Sequence, residues 1–377
     1  MAVETMTARE RIEAAINLEA TDRVPVSPFM VYHPCRVAGI SVRDYIYDPA
    51  KNDAAWRRTF ERYGGFDMIA GPIPVNFPRA PFYRFKLPGR DLPEDAVPQF
   101  VSGELMTADE YDIVIEGGLA AILPTLIERV RGKPVDKGPP RSRDRARKRP
   151  SGRLTREKRP FIQGWLERGI PVMIGGATNL PFEELCNLRS FEELAIDLYH
   201  RPKQVQTACA AIIHDLVERA LTMVRITEVP QVFVVGTRQS ATFISPQQFE
   251  QFVWPSTQAL VEQLVAAGCI VFLHLDGDCT PMLEYLRALP TKKCVLQLEN
   301  TDIFRAKEIV GDRICLMGNV KSTLLRLGTP QEIQAICRKL IDEVGKDGGF
   351  ILSSGCEVPI DARPENVQAM IDTAKTS

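Results

Sequence analysis

Short, nearly continuous apolar runs recur along the chain, each followed by a longer stretch whose apolar residues return at helical spacing. Eight of them have strand length: VPVSPFMVY (24–32), FDMIAGPIPV (66–75), PVMIGGA (171–177), QVFVVGT (231–237), IVFLHLDG (270–277), CVLQLEN (294–300), ICLMGNV (314–320) and FILSSGC (350–356). A strand buried on both faces reads as a continuous apolar run, and strands that alternate with helices make a parallel sheet. Eight such units predict an α/β fold, a closed (β/α)8 TIM barrel, as one domain over residues 1–377. Helix starts are marked by capping residues. Thr7 and Glu10 have the spacing of a capping box, Ser245-Pro246 and Thr329-Pro330 put proline at the first helical position, and Pro364 opens the last helix. Two stretches break the repeat. Residues 76–118 hold LPGRDLPEDAVPQF and several aromatics, which predicts an inserted hairpin or lid over the barrel mouth. Residues 133–159 carry twelve Lys/Arg against three Asp/Glu, which reads as a solvated surface loop or as a docking patch for an acidic partner.

In such a barrel the reacting groups come from strand C-termini and the loops after them. The fifth run ends in His274-Leu275-Asp276-Gly277-Asp278-Cys279. A strand's period of two puts His274 and Asp276 on one face, where an imidazole and a carboxylate can share a metal or act as an acid–base pair. The sixth run ends in Glu299-Asn300, and the eighth in Ser353-Ser354-Gly355-Cys356. Together His274, Asp276, Glu299 and Cys356 make a zinc-type donor set, with Cys279 as a reserve thiol. Other polar groups at run ends are candidates for substrate contact: Tyr32, His33, Asp67 and Arg238. His33 reads either as a second catalytic imidazole or as a turn residue before Pro34. Asn319 reads either as a catalytic contact to substrate or as the cap of the following helix.

Composition changes this picture little. The chain has a net charge of −1, 45% hydrophobic and 25% charged residues, which gives no reason to expect nucleic acid or a membrane as a partner. Nine cysteines without framework spacing suggest reduced thiols and a cytoplasmic protein. The N-terminal stretch lacks an apolar signal core, and no apolar run approaches the ~18 residues of a membrane span.

The segments TARERIEAAINLEATDRVPV, LMTADEYD, GTRQSATFISPQQFEQFVWP, FLHLDGD, LQLENTDI, LMGNV and LSSGCEVPIDARPENVQAM resemble the uroporphyrinogen decarboxylase superfamily. Two branches of it bear on function. Decarboxylases carry a segment resembling MRQAGRYLPEY after the first strand, which binds tetrapyrrole carboxylates without metal. Here FMVYHPCRVAGISVRDY stands in its place and keeps only Arg36 and Arg43 as charges, although Asp67 could match the decarboxylases' essential aspartate. The other branch comprises zinc-dependent corrinoid methyltransferases, with a His-x-Cys-Gly after strand five, a glutamate after strand six and a Gly-Cys near the C-terminus. His274, Glu299 and Cys356 match these, and Asp276 stands where the first cysteine would be.

The resemblance therefore implies Zn2+ as a cofactor and a methyltransferase of the O-demethylase type. Its corrinoid (a cobalamin) would arrive on a partner protein, because no DxHxxG module is present. The partners implied are that corrinoid protein and a small methylated substrate, with a homodimer also open. A hard carboxylate in place of a soft thiolate leaves a more electrophilic zinc, which favours a methyl donor bound through oxygen, such as a methoxylated aromatic. The alternative reading is a uroporphyrinogen decarboxylase acting on a tetrapyrrole.

Overall fold

A computed structural model describes residues 4–71, 85–131 and 160–377. The 133–159 run and the aromatics Phe77, Phe82 and Tyr83 lie outside the described residues. Two short strands, β1 (Phe85–Lys86) and β2 (Gln99–Phe100), pair antiparallel as a hairpin inside the stretch expected to hold one. Six longer strands follow: β3 (Gly176–Asn179), β4 (Gln231–Val235), β5 (Ile270–Leu275), β6 (Cys294–Leu298), β7 (Cys315–Val320) and β8 (Phe350–Ser354). They pair in sequence order, and every pair is parallel.

The two remaining staves are extended segments around Val26 and Ile69, and they close the ring. Ser27 N–H donates to Leu352 O (2.9 Å) and Leu352 N–H to Pro25 O (2.8 Å), which joins the first segment to β8. Asp67 N–H donates to Val26 O (2.8 Å), and Ile69 N–H to Pro171 O (3.0 Å), which carries the ring on toward β3. These staves are irregular for a local reason. Pro25 and Pro28 have no N–H to donate, and Gly71 turns the second segment out at φ +110°. The structure is the expected (β/α)8 barrel with a hairpin insertion, and the eight runs are its eight staves.

Capping chemistry sets the helices as the residues suggested. Thr7 accepts from Glu10 N–H and Glu10 answers Thr7 N–H at the start of Ala8–Ile16, and Thr329 with Glu332 does the same for Pro330–Glu343. The helix opened by Ser245 runs through a π-turn at Phe249–Val253 before it continues as Trp254–Ala266. No helix among the described residues is long and apolar enough to cross a membrane.

Register decides what each strand side chain faces. In the parallel ladder His274 pairs with Val235 and Gln297, Gln297 with Met317, and Met317 with Ile351. Register partners point to one side of the sheet, and the period of two adds Phe233, Glu299, Asn319 and Ser353. The Phe29 and Phe233 rings lie 5.4 and 5.2 Å from the His274 ring, so this side is the barrel interior. Leu273 and Leu275 point the other way, toward Phe249, Thr257 and Met282 of the surrounding helices.

The floor of the barrel is a buried ion cluster. Asp67 opens its stave there. Its Oδ1 accepts from Arg11 Nη1 (2.6 Å), and its Oδ2 accepts from Arg23 Nη1 (2.7 Å) and Val26 N–H (2.8 Å). Arg11 also donates to both oxygens of Asp22, at 2.7 and 2.8 Å. Asp67 is therefore committed to the end of the barrel opposite the strand C-termini, which corrects its assignment as a substrate contact. Asp67→Asn should cost about 3–5 kcal/mol, because it leaves two buried guanidinium groups short of a counter-charge; denaturant unfolding measures this. The hydrogen bond from Arg11 holds the Asp22 carboxyl well below the usual range. A depressed folded pKa contributes stability above the unfolded value near ~4 and loses it as pH falls further, so the floor should fail first in acid. Unfolding midpoints measured from pH 6 downward should drop below pH ~4 in the parent and much less in Asp22→Asn.

Candidate metal centre

β5 delivers His274 as its next-to-last residue, buried with 5% exposure, and Asp276 follows two residues later on the same side. Cys356 comes from the turn after β8. His274 Nε2, an Asp276 carboxylate oxygen and Cys356 Sγ all lie within 4.8 Å of one another. Nε2 is 3.6 Å from Sγ and 2.8 Å from Asp276 Oδ1. The short contact to Oδ1 is not aligned as a hydrogen bond, and Oδ1 is buried without a partner. An imidazole nitrogen and a carboxylate oxygen at this separation can share a cation.

The distances test that fit. Nitrogen and sulfur bound tetrahedrally to zinc at ~2.0 and ~2.3 Å sit about 3.5 Å apart, which matches the Nε2···Sγ separation. Asp276 would have to give way by roughly half an ångström to share the ion. Burial and the Asp276 charge push the Cys356 thiol far up. Asp276 is held below its usual range: burial opposes its ionisation, but the His274 ring and the Cys356 thiol outweigh it. The residues fit a zinc ion held by one nitrogen, one oxygen and one sulfur.

Two close backbone approaches bring the donors together. A Cβ at Gly277 would lie 1.9 Å from Ser240 Oγ, and one at Gly355 would lie 2.5 Å from Glu299 Cα. Glycine alone lets the β5 turn press on the β4 turn and the β8 turn press on β6. Hydrogen bonds then fasten the turns to one another. Asn300 Nδ2 donates to Asp276 O (2.7 Å), Thr301 Oγ1 to Gly277 O (3.1 Å), Cys279 N–H to Thr301 Oγ1 (2.9 Å) and Ala241 N–H to Asp278 O (2.8 Å).

The other expected residues fall into different places. Glu299 stands beside Gly355 but outside the group of three. Its Oε1 accepts from Ser322 N–H (3.1 Å), so the carboxylate caps the helix Ser322–Leu327. Asn319 does not cap that helix; its amide nitrogen reaches the Glu299 and Thr301 carbonyls, both at 3.4 Å. Cys279 is buried among Leu180, Gln239 and Met282, and burial pushes its thiol up to about 12. His33 is fully buried, with Nε2 2.7 Å from Tyr63 Oη and Nδ1 3.2 Å from Pro359 O, and burial lowers it to about 4. It is a packing imidazole, not a second catalytic one.

Tyr32 is buried edge-on to Tyr45, and its N–H donates to Glu357 Oε1 (3.3 Å). Arg238 lies at the mouth, engaged by the buried Glu183 and by Asn187 Oδ1 (2.9 Å), with its guanidinium 5.9 Å from the Phe100 ring of the hairpin. Trp254 packs with Phe249 and Tyr285. Glu183 and Glu357 were missed. Glu183 accepts from Thr237 N–H, Thr237 Oγ1 and Arg238 N–H, yet in the sequence it is one more acid in a helix's first turn. Glu357 adjoins Cys356, and burial raises it to about 7.

The uroporphyrinogen decarboxylase (URO-D) family model matches residues 165–377, more than half of the chain, including β3–β8 and every donor of the centre. The chain belongs to the uroporphyrinogen decarboxylase family. Within that family it is 30% identical over 142 residues to a "Uroporphyrinogen decarboxylase" of Chlorobium phaeovibrioides, a match covering 36% of this chain and 39% of the relative. It is 24% identical over 194 residues to a "Methylcobamide:CoM methyltransferase MtaA" of Methanosarcina barkeri, covering 50% of this chain and 52% of that one. The chain thus spans about two fifths to one half of the length of these curated relatives. A solved methyltransferase from Methanosarcina mazei shares the fold, with a TM-score of 0.72 over 98% of this chain and 99% of that chain at 20% identity.

The close approach at Gly355 can be tested directly. In Gly355→Ala the new methyl meets Cα, Cβ and Cγ of Glu299, just past β6, so the β8 turn must back away and carry Cys356 with it. The variant should lose about 1–3 kcal/mol of stability, read by thermal unfolding, and any zinc held by the three donors should fall with it, read by elemental analysis.

Proposed function

We propose that this family member is a zinc-dependent methyltransferase that passes a methyl group from a methoxylated aromatic substrate to the cobalt(I) of a separate corrinoid protein. The observation that carries the reading is the convergence of His274, Asp276 and Cys356 within 4.8 Å at the strand C-termini. One nitrogen, one oxygen and one thiolate from the protein leave a tetrahedral ion with an open position, the pattern of catalytic rather than structural zinc. Bound there, zinc supplies Lewis acidity to the ether oxygen that must leave when the methyl departs. His274 and Cys356 hold the ion. Asp276 keeps it harder than a second thiolate would, which suits an oxygen ligand. The apolar rings of Phe29 and Phe233 pack against the His274 imidazole. The corrinoid protein has to dock over the strand C-termini, where the hairpin also lies. Nine unpaired cysteines suit the reducing cytoplasm.

The decarboxylase reading has in its favour the name borne by the Chlorobium relative. Asp67, the carboxylate proposed to serve it, is taken up at the floor by Arg11, Arg23 and Val26. Metal content separates the two readings. The purified protein should hold stoichiometric zinc, and Cys356→Ala should lose both zinc and methyl transfer to a cobalt(I) corrinoid by roughly 100-fold or more. A metal-free protein that decarboxylates a tetrapyrrole would overturn the proposal. Asp276→Cys should keep zinc but slow ether cleavage more than ~10–100-fold, since an added thiolate weakens the Lewis acid. Full zinc with undiminished cleavage in that variant would show that Asp276 does not tune the metal.

A further inference from the structure

One polar side chain in the barrel interior is used by nothing described so far. Gln297, the next-to-last residue of β6, is fully buried, and neither its amide oxygen nor its amide nitrogen has a hydrogen-bond partner. Its register partner across the parallel ladder is His274. The Nδ1 of that same imidazole is also buried and without a partner. An unpaired buried polar group is costly, and two at adjacent interior positions call for an explanation.

The chemistry of the imidazole supplies it. Nε2 is the ring nitrogen that faces Asp276 Oδ1 and Cys356 Sγ. To offer a lone pair there, the neutral ring must carry its proton on Nδ1, and a buried N–H needs an acceptor. The neighbours Phe29, Phe233 and Val235 bring no polar side-chain atom to the ring. Gln297 stands at the adjacent register position with a terminal amide whose torsion is broad and easily turned.

We propose that Gln297 is a positioning residue that accepts a hydrogen bond from His274 Nδ1–H through its amide oxygen, directly or across one buried water, and so fixes the tautomer that turns Nε2 toward the centre. The role of that tautomer rests on the metal reading above, but the tautomer itself is a property of the metal-free chain.

Nitrogen-15 NMR of the histidine rings in the full-length protein tests it, and with four histidines the His274 signals can be assigned from a His274→Gln variant. The metal-free parent should show Nδ1 protonated and Nε2 unprotonated. Gln297→Met keeps the shape without the polar atoms. It should populate the Nε2–H tautomer and weaken zinc by about 10–100-fold in chelator competition. Gln297→Glu, which keeps an acceptor, should retain the Nδ1–H ring. An Nε2–H ring in the metal-free parent overturns the proposal without any variant, and so do an unchanged tautomer and unchanged zinc affinity in Gln297→Met. If the parent binds no zinc while its tautomer still depends on Gln297, the metal reading falls and the positioning role stands.

Discussion

Closing eight parallel strands into a ring leaves each strand side chain only two destinations, the interior or the helical layer. Everything at the candidate centre follows from that constraint. Once His274 is inside, its ladder partners Val235 and Gln297 are inside with it, and so is Glu299, two residues beyond Gln297. The alternate residues Leu273, Leu275, Leu296 and Leu298 are buried in the outer layer and anchor the strands against the helices. The chemistry can be concentrated on one side because the stability is supplied on the other.

The same division holds along the barrel axis. At the floor the charges are paired: Arg11, Arg23, Asp22 and Asp67 engage one another, Glu4 joins Arg23, and the N–H groups of Thr5, Met6, Arg23 and Val26 donate to the two aspartates. At the mouth, polar atoms are left wanting, with His274 Nδ1, Asp276 Oδ1, Gln297 and Ser353 Oγ buried and unpartnered. A fully paired cluster ties the first two staves to the N-terminal helix, whereas at the mouth the donor atoms of His274, Asp276 and Cys356 converge on one another.

Much of this was legible in the residues. The eight staves were readable because parallel strands buried on both faces leave unbroken apolar runs, and the His274–Asp276 pair was readable because a strand repeats every two residues. Cys356 followed from the rule that chemistry sits at strand ends. The failures have physical causes as well. Asp67 is the second residue of its run and so opens the stave instead of ending it, a signal available from its position but outweighed by its charge. His33 lies just past a run's end, where nothing local tells a ring turned toward Tyr63 from one turned toward the mouth. Glu299 was placed correctly, but the demand of Ser322 N–H for a cap comes from a helix start 23 positions away. Glu183 meets Thr237 across 54 positions, and only the folded ring brings them together. Gln297 was visible as one amide inside CVLQLEN, although its meaning needed the register.

The glycines at 277 and 355 carry a consequence for how such a site can diversify. Where a turn presses this closely on Ser240 and on Glu299, an inserted or deleted residue would pull the donors apart, so loop length is closed as a route of change. Variation is left to exchanges of single side chains on a fixed frame, at positions 274, 276 and 356. A carboxylate or a thiolate at 276 then shifts the electrophilicity of whatever ion sits there without moving anything else. Descendants of one barrel can thus part ways in chemistry through a single codon.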